Sequence, residues 1–465
     1  MSSLWTVKQV AAAAGGSAAT DGAITGVSID TRTLQAGDLF VALKDARDGH
    51  DFAGDAIRRG AAAALVSRDI AGVASDKLIK VRDVQTALES LGRARRVEVT
   101  ARVAAVTGSV GKTSTKEALR HLLELQGRTH ASAASYNNLW GVPLSLARMP
   151  RDTQFGVFEI GMNHAGEIIP LTRQVRPQVA VVTMVAAVHL EHFRSVADIA
   201  DAKGEIFSGL ESGGVAVING DLEWTQRLKD HAAKAKPSRI ITYGRAASCD
   251  VRLTDLQLAE DGSDVGVTLF GKAVRYRVGA PGEHWALNSL GVLAAIASLG
   301  GDAEQGAADM ATLNALVGRG ARQRITTAKG AFDLIDESYN ANPLSMAVSI
   351  ATLGRAKPGP GGRRIAVLGD MLELGPTGGE LHAGLAKPLA EHGIDLVFAS
   401  GPLMNHLWPA IAERQRGGYA GVSSEIARAV ADTVRAGDIV MVKGSNGSKM
   451  RLVVEALRAL ATAHQ

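Results

Sequence analysis

The run Thr107-Gly108-Ser109-Val110-Gly111-Lys112-Thr113-Ser114 has the residue types of a phosphate-binding loop. It follows the apolar stretch 103–106 and precedes a helix-like segment, 116–125. A glycine turn between a strand and a helix start directs unpaired backbone N–H groups towards one point, with the positive end of the helix dipole behind them. Lys112 would add a positive charge on the terminal phosphates, and the Thr113 hydroxyl could ligate a bridging Mg²⁺. The run predicts that the chain uses a nucleoside triphosphate.

The loop is shorter than the common P-loop, which reads G-x-x-x-x-G-K-[ST] and would place glycine where this chain has Val106. A chance glycine-rich turn beside a lysine is the alternative interpretation. The flanking strand and helix, in the right order, favour phosphate binding.

Glu159 lies near the end of the expected strand 155–160, where a parallel strand would present its carboxyl end. Open α/β sheets bind ligands at the carboxyl ends of their strands, and a carboxylate there can hold Mg²⁺ against phosphates. Helix capping is the alternative role for such a residue.

Two histidines, His189 and His192, follow the next expected strand, 179–185, on a possible helical start. Their spacing of three residues is not the i, i+4 pair of helical zinc sites, and no further zinc ligands follow, which disfavours zinc. Further on, Lys203 has the pattern of an ordinary lysine on an amphipathic helix.

His284 and Asn288 begin a long Ala- and Leu-rich helix. Their four-residue spacing places both side chains on one face, where they could read a nucleotide base. A capped core helix is the equally open alternative.

Three polar loops end strands in the last third of the chain, at 336–343, 368–375 and 442–446. The first contains Asp336, Glu337, Asn340 and Asn342, more hydrogen-bonding groups than a surface turn requires. Because parallel strands end at one edge of a sheet, the three loops are expected to face one crevice.

Composition bounds the class of protein. A length of 465 residues predicts about three domains. A net charge of +4 is too small to indicate a nucleic-acid-binding surface. Within a basic cluster, Arg93, Arg95 and Arg96 are expected to form a solvated helix face. The single cysteine, Cys249, fits a reducing compartment, and no apolar segment is long enough for membrane insertion, so a cytoplasmic location is expected.

Strand-like and helical segments alternate along most of the chain, which predicts an α/β fold with parallel sheets. We expect a small mixed α/β N-terminal domain at 1–83, a central P-loop-type parallel-sheet ATPase domain at 84–318, and a C-terminal Rossmann-like α/β domain at 319–465.

Together these motifs resemble the Mur ligase family, over nearly the whole chain. The Thr-Gly-Ser-x-Gly-Lys-Thr loop is similar to the family's short P-loop, and Ser28-Ile29-Asp30-Thr31-Arg32 with Asp48-Gly49-His50 resembles its UDP-sugar-binding first domain. The motifs Ser-Tyr-Asn-Ala-Asn-Pro, Gly-Asp-Met-x-Glu-Leu-Gly and Val-Lys-Gly-Ser, which includes Lys443, resemble the branch that adds D-alanyl-D-alanine.

The resemblance implies ATP, Mg²⁺ and an acyl-phosphate ligase reaction, with UDP-N-acetylmuramoyl-tripeptide and D-alanyl-D-alanine as substrates and a monomeric enzyme. It implies phosphate and metal roles for Lys112, Thr113, Glu159, His189 and a carbamylated Lys203. Nucleotide contacts are implied for His284, Asn288, Arg319, Asp336 and Glu337. Substrate contacts are implied for Ser28, Asp30, Arg32, Asp48, His50, Asn137, Asn138, Asn340, Asn342 and Lys443.

Two rival functions stay open at this level. One is another amide ligase of the same fold, acting on folate polyglutamate or diaminopimelate, and the motifs 48–50 and 340–343 disfavour it. The other is a regulatory ATP-binding switch, which would not need polar loops at three strand ends.

Overall fold

The computed structural model describes residues 3–188 and 190–461. The described residues up to Thr183, with Ala200–Arg252 and Leu290–Gly306, form one compact unit. Met184–Ile199, Leu253–Ser289 and the described residues from Ala307 onwards form a second. Helices alternate with largely parallel strands in both units, which confirms the expected α/β class. The domain boundaries expected at 83/84 and 318/319 stay predictions.

The strands are β1 Trp5–Thr6, β2 Ala23–Ile24, β3 Gly26–Ser28, β4 Asp38–Val41, β5 Ala63–Val66, β6 Leu78–Lys80, β7 Arg102–Thr107, β8 Thr129–Ala131, β9 Phe155–Glu159, β10 Val179–Val182, β11 Val215–Asn219, β12 Arg239–Gly244, β13 Val251–Leu258, β14 Ser263–Leu269, β15 Lys272–Val278, β16 Ala321–Thr327, β17 Gly330–Glu337, β18 Arg364–Gly369, β19 Leu396–Ser400, β20 Arg416–Ala420 and β21 Ile439–Lys443.

The α-helices are α1 Val7–Ala14, α2 Ala53–Arg58, α3 Val84–Glu98, α4 Lys112–Glu124, α5 Gly141–Ala147, α6 Ile168–Val175, α7 Val196–Gly204, α8 Thr225–Lys234, α9 Glu283–Ser298, α10 Ala303–Asp309, α11 Pro343–Arg355, α12 Gly378–Ala383, α13 Ala386–Glu391, α14 Ser423–Thr433 and α15 Arg451–Arg458. Among the described residues, no helix combines the length and apolar character needed to cross a bilayer.

Two parallel sheets organise the first unit. One has the strand order β3-β4-β5-β6, and the other contains the consecutive strands β12-β11-β10-β7-β9-β8. Every residue of β10 is buried, as expected for a parallel strand covered on both faces. Because β7 pairs with both β9 and β10, the loop after Thr107 lies beside the carboxyl ends of those two strands.

A six-stranded sheet organises the second unit, in the order β16-β17-β21-β18-β19-β20, where only β16 is antiparallel to its neighbour. Strands β17, β21 and β18 are adjacent, so the three polar loops that follow them leave the same edge of the sheet. This adjacency confirms that the loops share one side. An antiparallel hairpin, β14–β15, belongs to the same unit.

The elements around the phosphate-binding motif differ in their bounds from the sequence expectation. Helix α4 begins at Lys112, four residues before the expected start, and β10 ends at Val182 rather than at residue 185. Directly after the strand, the Thr183 hydroxyl donates to Val110 O, 2.7 Å away. His192 lies in a turn, since α7 begins only at Val196, while His189 lies outside the described residues.

The expectation of a solvated basic face on α3 is wrong for two of its three arginines. The guanidinium of Arg95 stacks on the Trp5 ring, 3.9 Å from the ring centroid, and burial lowers the pKa of Arg95 to about 10. Arg96 is buried and donates to Val175 O and Arg176 O at 2.7 and 2.8 Å. The helical periodicity of the sequence could not reveal the burial of Arg95 and Arg96, because their partners are distant in sequence.

Replacing Arg96 with Met is expected to lower the free energy of unfolding by about 2–3 kcal/mol, because charged hydrogen bonds to buried carbonyls are lost. Urea-induced unfolding measures the loss. Arg93→Met is the matched control, since the Arg93 side chain is 47% exposed and its removal is expected to change stability by less than about 0.5 kcal/mol. Equal midpoints for the two variants would contradict the buried role of Arg96.

Candidate active site

The loop between β7 and α4 has the backbone of an anion-binding turn. Gly108 and Gly111 have φ angles of 151° and 89°, which L-residues with a side chain rarely adopt. Helix α4 starts directly after Gly111, and no side chain caps its first turn. The N-terminal end of a helix presents backbone N–H groups and a positive partial charge, so this turn suits a phosphate.

Lys112 closes over the loop that precedes it. Its Nζ donates to Gly108 O at 2.6 Å, which holds the ammonium group beside the glycine turn. Thr183, a residue that the sequence did not single out, fixes the loop from the neighbouring strand through Val110 O. The loop and the lysine together concentrate positive potential at one point.

A buried carboxylate connects the loop helix to a second polar segment. The Thr113 hydroxyl donates to Glu159 Oε2 at 2.8 Å, and Asn137 Nδ2 donates to Glu159 Oε1 at 2.7 Å. Glu159 is only 1% exposed. Both oxygens therefore serve residues with expected phosphate or substrate roles, and neither caps a helix. Asn138, next in the segment, accepts from Gly141 N at 2.9 Å.

Lys203 is buried in the same unit, a fact that its helical pattern did not reveal. Burial holds the pKa of Lys203 well below its usual range, and the charge of Lys112 lowers it further while Glu205 opposes the shift. Burial also raises the pKa of Glu205. This environment favours the neutral amine over the ammonium form, and the neutral amine is the nucleophilic form.

The turn Asp48-Gly49-His50 is held by hydrogen bonds that join Asp48, His50 and Ser67. His50 Nδ1 lies 2.6 Å from Asp48 Oδ1, and His50 Nε2 accepts from Ser67 N at 2.9 Å. Hydrogen bonds from the backbone and ring of His50 lower the pKa of Asp48 to about 2. Both imidazole nitrogens are thus used inside the fold. The expected substrate contact of His50 stays a prediction, and the structure shows His50 supporting the turn.

The neighbouring motif at the end of β3 is also internally bonded. The Ser28 hydroxyl donates to Asp30 O at 3.0 Å, and Asp30 Oδ2 pairs with Arg32 Nη2 at 2.6 Å. Hydrogen bonds from Arg32 lower the pKa of Asp30. The Arg32 side chain is 81% exposed, which leaves it accessible to a ligand.

The acid pair at the end of β17 is split between the two faces of the strand, because successive strand residues point in opposite directions. Glu337 pairs with Lys443 Nζ at 3.1 Å. Asp336 instead accepts from the Ser338 hydroxyl at 2.7 Å and from Arg458 at 3.3 Å. The two carboxylates therefore have different partners within the protein, and the nucleotide contacts expected for both stay predictions.

The three loops at this sheet edge are hydrogen-bonded to one another. Lys443 Nζ donates to Asn340 O at 3.1 Å, and Ser445 Oγ accepts from Leu372 N at 3.0 Å. The Asn342 side chain caps α11 by accepting from Ser345 N at 2.9 Å, so its amide has a structural contact that its sequence motif did not indicate.

His284 lines a cavity of about 480 Å³ in the second unit. Its Nδ1 is buried and has no hydrogen-bond partner among the described residues. Burial lowers the pKa of His284, with Glu337 opposing and Lys443 and Arg355 assisting the shift. A neutral imidazole with an unpartnered nitrogen can bind a polar ligand group.

The remaining residues expected at the nucleotide lie in the same unit. Asn288 lies one turn beyond His284 on α9. The Arg319 guanidinium lies over the Tyr339 ring at 4.3 Å. Sequence reasoning missed Arg322 and Arg355, which also line the cavity, because lone arginines in a strand and a helix carry no motif.

Known proteins match this chain along most of its length. Three family models match it: the Mur ligase family catalytic domain at 23–96, the Mur ligase middle domain at 106–296, and the Mur ligase glutamate ligase domain at 321–446. The chain belongs to the Mur ligase family. UDP-N-acetylmuramoyl-tripeptide–D-alanyl-D-alanine ligase from Escherichia coli is 35% identical over 443 residues, which cover 94% of each chain. The enzyme of the same name from Bacillus subtilis is 33% identical, covering 93% of each chain.

Solved structures named MurF have the same fold as this chain. A crystal structure of MurF from Acinetobacter baumannii matches with a TM-score of 0.84 at 28% identity, covering 98% of this chain and 99% of that one. MurF ligase from Thermotoga maritima, solved in complex with ADP, matches with a TM-score of 0.77 at 27% identity, covering 94% and 97%.

Replacing His50 with Phe is expected to lower the free energy of unfolding by about 1–3 kcal/mol, because Ser67 N–H and the Asp48 carboxylate lose their partner while the ring volume is kept. Urea-induced unfolding measures the change. Arg32→Met is the control, as an exposed ion pair contributes little stability. An unchanged midpoint for His50→Phe would remove the supporting role assigned to this histidine.

Proposed function

We propose that this chain is an ATP-dependent ligase that joins D-alanyl-D-alanine to UDP-N-acetylmuramoyl-tripeptide. The observation that carries the proposal is the buried Glu159 carboxylate, hydrogen-bonded to Thr113 of the phosphate-binding helix on one side and to Asn137 on the other. The relatives named above, matched over more than nine-tenths of the chain, support the same substrates. The product would be the pentapeptide precursor of peptidoglycan, made in its last cytoplasmic step.

The proposed reaction brings two anions together. The terminal carboxylate of the tripeptide takes the γ-phosphoryl group of ATP, giving an acyl phosphate and ADP, and the D-alanyl-D-alanine amine then displaces phosphate with loss of a proton. Positive groups must offset the repulsion between a carboxylate and a triphosphate. Lys112 and the backbone amides of the glycine turn provide them in this chain.

The residues beside the loop fit Mg²⁺. Thr113 and Glu159 offer a hydroxyl and a carboxylate 2.8 Å apart, and hard oxygen ligands of this kind are those that Mg²⁺ prefers. When bound, the ion would neutralise phosphate charge. His189, proposed for a second Mg²⁺, lies outside the described residues. A carbamate on Lys203 would add a further anionic ligand, and the burial that lowers the pKa of Lys203 supports this modification.

The second unit is proposed to bind the nucleoside and the dipeptide. The unpartnered His284 Nδ1 and the adjacent cavity support contacts with the base or the ribose. Asn288, Arg319, Asp336 and Glu337 are proposed for the nucleotide. Asn340, Asn342 and Lys443 are proposed for the dipeptide. We further propose that the enzyme is a monomer in the cytoplasm.

ADP release measured with ATP, Mg²⁺, UDP-N-acetylmuramoyl-tripeptide and D-alanyl-D-alanine tests the activity. Turnover is expected only when both peptide substrates are present. Lys112→Ala is expected to reduce kcat by roughly 10²–10³-fold, since it removes a charge aimed at the developing transition state. Lys234→Ala, at an exposed position on α8, is the control and should leave kcat unchanged. ADP release independent of D-alanyl-D-alanine would contradict the ligase function.

Carbamylation of Lys203 can be observed without turnover. Incubation with ¹³C-labelled bicarbonate is expected to produce one carbamate resonance in the wild-type spectrum, because burial favours the neutral amine, which can attack CO₂. Lys203→Gln should lose this resonance, whereas the exposed control Lys234→Gln should keep it. A wild-type spectrum without the signal would contradict the modification.

A further inference from the structure

Lys116 lies in α4, one turn after Lys112, and its side chain is fully buried. Its Nζ has three acceptors: Glu117 Oε1 at 2.5 Å, Ser132 O at 2.8 Å and Ala134 O at 2.8 Å. An ammonium group has three N–H donors, so these contacts use all of them.

The two carbonyls belong to the segment 132–138, which carries the asparagines proposed for substrate binding. Ser132 is joined to β9, because its Oγ accepts from Glu159 N at 3.3 Å. Ala134 has a φ of 45°, a left-handed conformation that is unfavourable for a residue with a side chain. A strained backbone of this kind persists when surrounding contacts fix it, and the Lys116 ammonium is such a contact.

The segment is therefore tied to α4 by two routes. Thr113 and Lys116 are three residues apart and lie on one face of the helix. Thr113 reaches the segment indirectly, through Glu159 and Asn137, whereas Lys116 reaches it directly through two carbonyls. The contacts form a closed ring that contains the first residues of the phosphate-binding helix.

Glu117 keeps the buried ammonium group compensated. Its second oxygen accepts from Arg120 Nε at 2.7 Å. Burial acts to raise the pKa of Glu117, but the hydrogen bonds from Lys116 and Arg120 outweigh it and lower the pKa overall. Glu117 thus links the buried Lys116 side chain to Arg120 within the protein.

We propose that Lys116 is a positioning residue for the ligase reaction, fixing the segment 132–138 against the phosphate-binding helix so that Asn137 and Asn138 meet the muramoyl peptide. The inference rests on the proposed function. Lys116 does not touch substrate itself, because its three donors are occupied within the protein. Its contribution should therefore appear in acceptor binding and turnover and not in nucleotide binding.

Lys116→Met keeps the length of the side chain and removes the ammonium group. We expect the KM for UDP-N-acetylmuramoyl-tripeptide to rise by roughly tenfold or more and kcat to fall, because displaced binding groups misalign the carboxylate. The Kd for ADP should stay within about twofold, since the backbone of the glycine turn is unchanged. An unchanged KM, or equal changes in KM and in the Kd for ADP, would overturn the proposal.

Two further variants separate positioning from stability. Lys116→Met combined with Glu117→Gln also neutralises the carboxylate whose Oε1 loses its Lys116 partner in the single variant, so it should recover part of the thermal stability while KM stays raised. Arg96→Met, which deletes another buried cation bonded to carbonyls, should lose stability without a change in KM. Parallel recovery of stability and KM in the double variant would show a purely structural role for Lys116.

Hydrogen exchange gives a test that does not depend on turnover. Amides of the segment 132–138 are expected to exchange faster in Lys116→Met, whereas those of the six-stranded sheet should keep their wild-type rates. Unchanged exchange in the segment would overturn the proposal whether or not the protein is a ligase. If the segment exchanges faster but ADP release does not depend on the two peptide substrates, the proposed function alone is contradicted.

Discussion

The buried carboxylate of Glu159 is the group on which the arrangement of the first unit depends. A carboxylate away from water is stable only when donors satisfy both of its oxygens. Thr113 and Asn137 are those donors, so one requirement of folding also fixes the spacing between the phosphate-binding helix and the segment 132–138. A bound cation could take over part of this task, since a metal is an alternative partner for the same oxygens.

The order of strands explains how distant parts of the sequence supply this site. Strand β7 lies between β9 and β10 in the parallel sheet, so the loop after Thr107, the end of β9 at Glu159 and Thr183 after β10 meet at one edge. The second unit repeats the principle with β17, β21 and β18. In both units the order of the strands brings the candidate site residues together at the carboxyl ends of the strands. The helices that follow contribute their first turns and their N-terminal caps at the same place.

The sequence predicted the elements well where the physical signal is local. The apolar β-branched run 179–185 predicted β10, and the glycine turn predicted the loop before α4, because backbone conformation and strand burial follow from neighbouring residues. Burial of charged side chains was not predictable in this way. Arg95, Arg96, Lys116 and Lys203 all have ordinary helical surroundings in sequence, and their partners are carbonyls or charges contributed by distant segments.

In the candidate site, some of the expected proximities were predictable from the sequence, whereas the directions of the side chains were not. Motif residues such as Lys112, Thr113 and Glu159 lie together as expected, whereas Asp336 and Glu337 diverge, which adjacency in sequence concealed. The same limit applies to Asn342, whose amide caps a helix. Side-chain direction depends on the pleat and on packing, neither of which a motif specifies.

The divergence of Asp336 and Glu337 has a consequence for variation within this protein. Two neighbouring codons encode chemically similar acids, yet one carboxylate serves the covering helix α15 through Arg458 and the other serves the loops through Lys443. Substitution of Asp336 should therefore affect the packing of α15, and substitution of Glu337 should affect the arrangement of the loops around Lys443. Selection can therefore act on the two positions independently, although a single peptide bond joins them.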